Sequence, residues 1–114
     1  VAKVVMVKDA GEMAMLVLPA PYRLDFAKVG EALGNRSVTL AGEEDFQDLF
    51  PDCETGAMPP FGNLYDLPVY VDQSLAEEED IVFRIGSHRE TMKVAYADFE
   101  RLARPQVAEF SRVN

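Results

Sequence analysis

Two apolar runs open the chain, VAKVVMVK (1–8) and EMAMLVL (12–18), separated only by Asp9-Ala10-Gly11 and closed by Pro19. Valine-rich runs suit the pleated backbone of a strand. Gly11 supplies the positive φ that a tight reversal demands, and Pro19 cannot donate to a ladder beyond it. Strands joined by so short a link can only return antiparallel, because a parallel return needs a long crossover. A chain that begins this way is directed toward a hairpin-based sheet rather than a regular alternation of strands and helices.

The rest of the chain fits that start. Leu24 to Gly34 (LDFAKVGEALG) predicts a helix, with Asp25 at its N-cap, Phe26, Val29 and Leu33 on one face and Gly34 at the left-handed C-cap position. Residues 37–40 (SVTL) predict a short strand. Residues 43–50 (EEDFQDLF) predict a short helix, acidic in its first turn and ended by Pro51. LPVYVD (67–72) reads as a strand and QSLAEEED (73–80) as a polar connection with one helical turn. IVFRIG (81–86) and TMKVA (91–95) read as paired strands around a turn at SHRE (87–90). A helix over 97–103 ends at Pro105, and a short last helix is expected around Val107 and Phe110. The sum is an α+β fold with a mixed, mostly antiparallel sheet and flanking helices, in one domain over residues 1–114.

Charge narrows the partners. The net charge of the 114-residue chain is −9, whereas a domain that grips nucleic acid broadly through its phosphates is normally basic. Local basic groups remain: Lys3 with Lys8, and Arg84, Arg89 and Lys93. Such residues are most often solvated surface charges. No apolar run reaches membrane-spanning length, and the start of the chain is unlike a signal peptide. The lone Cys53 has no internal partner for a disulfide. A cytoplasmic location is the expectation.

The middle of the chain, PDCETGAMPPFGN (51–63), is stiff and bare. Gly56 lets backbone approach a ligand closely, while Pro59 and Pro60 fix φ and push their predecessors toward extended conformations. Two readings stay open at this level. The stretch is a turn that routes the chain, or it offers the N–H groups of Gly56, Ala57 and Met58 to a carbonyl oxygen or a developing oxyanion. Side-chain machinery is sparse. His88 is the only histidine, no nucleophile elbow accompanies Ser74 or Ser87, and nothing in the sequence unites Cys53 with His88 as nucleophile and base. Asp52, Cys53 and Glu54 are adjacent and point apart, which is poor spacing for a metal. Neither a phosphate loop nor a dinucleotide fingerprint is present.

Taken in order, AKVVMVK, LVLPAPYRLDFAKVGEALG, FPDCETGAMPPFG, LPVYVD and IVFRIGSHRETMKVAYADFERLARP resemble the YbaK/EbsC family. That family comprises free-standing aminoacyl-tRNA deacylases and the editing domain inserted in bacterial prolyl-tRNA synthetase. The resemblance runs from Ala2 to about Phe110. It implies a partly closed barrel-like sheet and hydrolysis of the ester joining a wrong amino acid to tRNA, with no cofactor and no metal. The Gly-x-x-x-Pro motif falls on Gly56 and Pro60, with Ala57, Met58 and Pro59 between them. In the family this loop's backbone holds the aminoacyl-adenosine end, and the adjacent ribose hydroxyl helps orient water. The family's essential lysine falls on Lys3. GSHRE falls on a turn beside the pocket, so Ser87 and His88 are expected to border the substrate. The implied partners are the acceptor end of aminoacyl-tRNA and an aminoacyl-tRNA synthetase, with neither membrane nor DNA. Family members begin with a helical segment upstream of the lysine-bearing strand, and a domain without it is expected here. The alternative of a different class is a binding module of the same fold, which holds a nucleotide, an aminoacyl-tRNA or a protein without hydrolysis.

Overall fold

The opening hairpin is realised along its whole length in a computed structural model of the chain. Strand β1 (Ala2–Asp9) pairs antiparallel with β2 (Glu12–Pro19) from Ala2 opposite Pro19 to Asp9 opposite Glu12, and Gly11 turns the corner at φ 85°. The structure describes residues 1–9, 11–34, 37–46, 60–61, 66–85 and 87–113.

A sheet of mixed direction grows outward from this hairpin. Its described order is β7-β6-β1-β2-β5-β8, where β5 is Val69–Asp72, β6 is Asp80–Ile85, β7 is Ser87–Ala95 and β8 is Gln106–Ala108. The pairs β1–β2 and β6–β7 are antiparallel, whereas β1–β6, β2–β5 and β5–β8 are parallel. Short β4 (Thr39–Leu40) adds antiparallel to the far end of β1, and β3 (Arg23–Leu24) pairs with β9 (Ser111–Arg112) in a small second sheet. The result is an α+β fold with a curled, partly closed sheet and flanking helices.

Strand periodicity assigns each face of this sheet to its own core. Ala2, Val4 and Met6 of β1 join Met15, Val17, Val69, Val71, Ile81 and Phe83, and helix α4 (Tyr96–Ala103) covers them with Phe99 and Ala103. Val7, Ala14, Leu16 and Leu18 face the other way, against Val29 of helix α1 (Phe26–Leu33) and Phe110. Helix α1 is capped at both ends. The Asp25 carboxylate accepts from the N–H groups of Ala27 (3.1 Å) and Lys28 (3.3 Å). Gly34 closes the other end at φ 74°, its N–H donating to the Gly30 carbonyl. Helix α2 (Glu43–Phe46) is held to β1 by the Lys8–Asp45 ion pair at 2.9 Å, and Gly42 N–H donates to Asp45 at 2.7 Å.

Three expectations need correction. Leu24 belongs to β3 rather than to the helix, which starts after its Asp25 cap. SHRE is not a free turn, because β7 already begins at Ser87; Ser87 stands opposite Ile85, with a register shift between Arg84 and Ile85. The tail is strand, not helix. Val107 and Phe110 are three residues apart and fit a helical face, but β8 finds an open edge at β5, with Val71 opposite Val107. Backbone pairing along that edge settles the conformation, leaving Val107 exposed and Phe110 buried. Of the helix expected over 43–50, residues 47–50 lie outside the described residues.

Candidate active site

Lys3 is the second residue of β1, half-buried, opposite Leu18 of β2. Alternation along the strand sends it to the face of Val5 and Val7, away from Ala2, Val4 and Met6. On its other side β1 runs parallel to β6, with Ala2 beside Phe83. Lys3 and Arg84 each follow that pair on their own strand. Arg84 in turn stands opposite Thr91 of β7, and Val82 opposite Lys93. A cavity of about 360 Å3 opens where these strands begin, lined among others by Val1, Ala2, Pro19, Tyr22 and Val82.

The described end of the Gly-x-x-x-Pro stretch is an anchor. Pro60 is fully buried. The Phe61 ring meets Phe83 edge-on, with centroids 5.5 Å apart and planes at 79°, and lies 6.0 Å from Phe99. Phe61 thus packs on the core beneath α4. Gly56, Ala57, Met58 and Pro59 lie outside the described residues, as does Cys53. Ser87 and His88 open β7, and their side chains are likewise outside the described part.

Two groups that sequence reasoning passed over prove informative. Asp72, 2 % exposed, is the N-cap of the short helix α3 (Gln73–Ala76). It accepts from Ser74 N–H at 3.2 Å and from the N–H groups of Phe110 and Ser111, each at 3.0 Å. Burial alone would raise its pKa. The hydrogen bonds from Ser74, Phe110 and Ser111 outweigh burial and hold the carboxyl below its ordinary value. Asp72 is thus a structural staple joining β5, α3 and the tail. Its signal in the sequence was the Asp-x-Ser spacing at a strand end, a local capping pattern. Tyr96 is buried in the core of α4 with its ring 5.8 Å from Phe99, and its hydroxyl has no hydrogen-bond partner among the described residues. Burial, with the Glu100 carboxylate second, raises its pKa. Among the described residues no group of three or more His, Cys, Asp and Glu could hold a metal, and no helix is long and apolar enough to cross a membrane.

Comparison with known proteins brings these parts under one heading. The model of the aminoacyl-tRNA editing domain family matches residues 1–102, a span that includes Lys3 and the whole Gly-x-x-x-Pro stretch. The chain belongs to that family, the YbaK/EbsC-like editing domains. It is 28% identical over 99 residues to the multifunctional Ser/Thr-tRNA deacylase ProXp-y of Escherichia coli K12, covering 86% of this chain and 59% of that enzyme. The chain therefore spans somewhat more than half the length of the curated relative it matches. A candidate trans-editing enzyme for prolyl tRNA synthetase superposes with a TM-score of 0.85 at 22% identity, over 97% of this chain and 69% of the other. The hypothetical protein APE2540 does so with a TM-score of 0.85, at 22% identity, over 98% and 74%. At such identities these structures speak for the editing-domain fold alone.

Proposed function

We propose that this editing domain is a trans-editing hydrolase that cleaves the ester between a mischarged amino acid and the terminal ribose of tRNA. The observation that carries the reading is the family match across Lys3 and Gly56–Pro60, and ProXp-y, a deacylase by name, supports it. Water adds to the ester carbonyl. The charge that develops on the carbonyl oxygen is met by the N–H groups of Gly56, Ala57 and Met58, donors that need no proton transfer of their own. The tetrahedral intermediate then collapses, the carbon–oxygen bond to the ribose breaks, and the ribose oxygen takes a proton as the amino acid leaves. Lys3 supplies positive charge beside the ester or the terminal phosphate, while Pro59 and Pro60 hold the loop and Ser87 and His88 border the substrate. Pre-positioned water and an oriented ester account for the rest of the acceleration. The buried Pro60 and the ring packing of Phe61 anchor the described end of that stretch to the core.

The test is deacylation of a panel of mischarged tRNAs, with Ser-tRNA and Thr-tRNA first because of the relative's name, then Ala and Cys. Lys3→Ala is expected to lower kcat/KM about 100-fold, the usual cost of removing one preorganised electrostatic group. Its melting curve should not change, since Lys3 is half-exposed. Parent-rate turnover by Lys3→Ala removes the lysine from the mechanism. Saturable binding of aminoacyl-tRNA with the ester left intact by the parent protein means a binding module instead.

A further inference from the structure

The small sheet of β3 and β9 sets two arginines directly against each other. Arg23 stands opposite Arg112, and Leu24 opposite Ser111. Leu24 packs on the core around Val29 and Phe110, so alternation turns Arg23 and Arg112 to the outside, and both are exposed. Residues directly opposite on antiparallel strands hold their Cβ atoms about 4.5–5.5 Å apart, and like charges so placed cost stability. Neither guanidinium makes an ion pair or a hydrogen bond among the described residues. The acids nearest to them in sequence are engaged elsewhere. Asp25 caps α1, accepting from the N–H groups of Ala27 and Lys28, and Glu109 accepts from Lys28 Nζ at 3.0 Å. Nor can the strands swing apart to relieve the repulsion. Asp25 N–H donates to the Phe110 carbonyl at 2.8 Å, which ties β3 to the residue before β9. The buried Asp72 carboxylate takes the N–H groups of Phe110 and Ser111, each at 3.0 Å, and Phe110 is itself fully buried. Two cations are thus held in register on a chain of net charge −9. Meeting each other instead of a carboxylate, they leave a local positive field that attracts anions.

We infer that Arg23 and Arg112 form a clamp for one phosphate group. Each guanidinium offers a planar fork of N–H donors that matches two oxygens at once. A carboxylate has two oxygens and fills one fork. A phosphate directs its oxygens to more than one side, so it takes a fork from each strand. The phosphate reaches the clamp as the free ion or as one link of a nucleic-acid strand. Only the second source rests on the proposed editing function.

Inorganic phosphate is the first probe. The unfolding midpoint is followed as phosphate replaces chloride at constant ionic strength, since an ion that binds the folded state alone raises the midpoint with its concentration. Arg23→Gln and Arg112→Gln are each expected to weaken the apparent phosphate affinity about tenfold, the loss of one charge-assisted contact, and the double variant to abolish the rise. Arg23→Lys/Arg112→Lys keeps both charges without the forks and should weaken it too; full retention by the lysine pair reduces the site to diffuse charge and overturns the clamp. Arg101→Gln on α4, its side chain 70% exposed, removes the same charge elsewhere and should leave the rise intact. The second probe is an uncharged acceptor-stem RNA, bound in fluorescence anisotropy titrations over a salt series. Loss of one clamped phosphodiester in the Arg23→Gln/Arg112→Gln double variant makes the slope of log affinity against log salt shallower by about one. An effect with phosphate alone identifies the free ion as the occupant, and an effect that includes RNA identifies the strand. No change in the double variant with either probe overturns the clamp, and so does an equal loss in Arg101→Gln. Turnover of the same RNA carrying a wrong amino acid is followed separately. A parent protein without turnover ends the hydrolase reading, while the phosphate series still decides the clamp.

Discussion

The two faces of β1 and β6 differ by one residue of register and by nearly everything else. Ala2 and Phe83 lie side by side in a sealed apolar core. Lys3 and Arg84, the next residue on each strand, are both half-exposed. The period of a strand makes this separation unusually clean, because neighbours in sequence cannot share a face. Buried and half-exposed positions thus alternate along this end of the same strands. At this end of the sheet a substitution's cost in stability should follow its parity, whereas further along β1 Val7, of the same parity as Lys3, is itself fully buried.

The largest effect that tests this contrast comes from the buried parity. Phe83→Ala removes a fully buried ring that also receives the edge of Phe61. It should cost about 3–5 kcal/mol of stability, the usual penalty for emptying an aromatic site, measured by denaturant unfolding. A variant of unchanged stability would mean that the ring is not part of the sealed core.

Asp72 shows that burial, not charge, places a residue on one side of the contrast or the other. It is ionised and buried, yet the groups around it are backbone N–H donors that hold the fold together. Asp72→Asn leaves those donors facing an amide and should cost about 2 kcal/mol, the range for a buried hydrogen bond to a charged group. Its folded pKa lies below the ordinary 3.8. The charged form therefore contributes stability that is complete above that value and is lost as pH falls through the lower folded pKa. In acid titrations followed by unfolding, the gap between parent and Asp72→Asn should be constant above about pH 5 and should close as pH drops below 3.8. A gap that persists unchanged in acid would mean that the carboxylate is not the source of the stabilisation.

The legible part of this molecule was local. The opening hairpin, the Asp25 and Gly34 caps of α1 and the pairing of β6 with β7 follow from turn chemistry and periodicity within a few residues. Illegible were the features decided at long range. Val107 and Phe110 carry a helical spacing, but an edge of β5 more than thirty residues upstream recruits Val107 into β8 and leaves Phe110 in the link to β9. The meeting of Ala2 with Phe83 depends on a parallel pairing across most of the chain, which no local pattern encodes. The Gly56–Pro60 stretch illustrates a different boundary: its glycine and prolines announce a stiff turn, but the residues alone could not choose between routing the chain and binding an oxyanion, and it was the likeness to a family that singled out Gly56 and Pro60.

The smallest expected effect concerns the one polar group that the apolar side leaves unsatisfied among the described residues. The Tyr96 hydroxyl is buried beside Phe99, which also touches Phe61, and among the described residues it has no hydrogen-bond partner of good geometry, although the Glu100 carboxylate is near enough to raise its pKa. A buried donor without an acceptor loses its water and gains nothing in return, so Tyr96→Phe should stabilise the protein by about 1 kcal/mol, read as a rise in the unfolding midpoint at unchanged denaturant sensitivity. If deacylation is also unchanged, the apolar face is scaffold throughout and the contrast between parities holds to its last member. A variant that is more stable but slower gives the opposite lesson: the unsatisfied hydroxyl is then retained for the substrate, because stability surrendered at a single buried group is the usual mark of a position that function, not folding, has shaped.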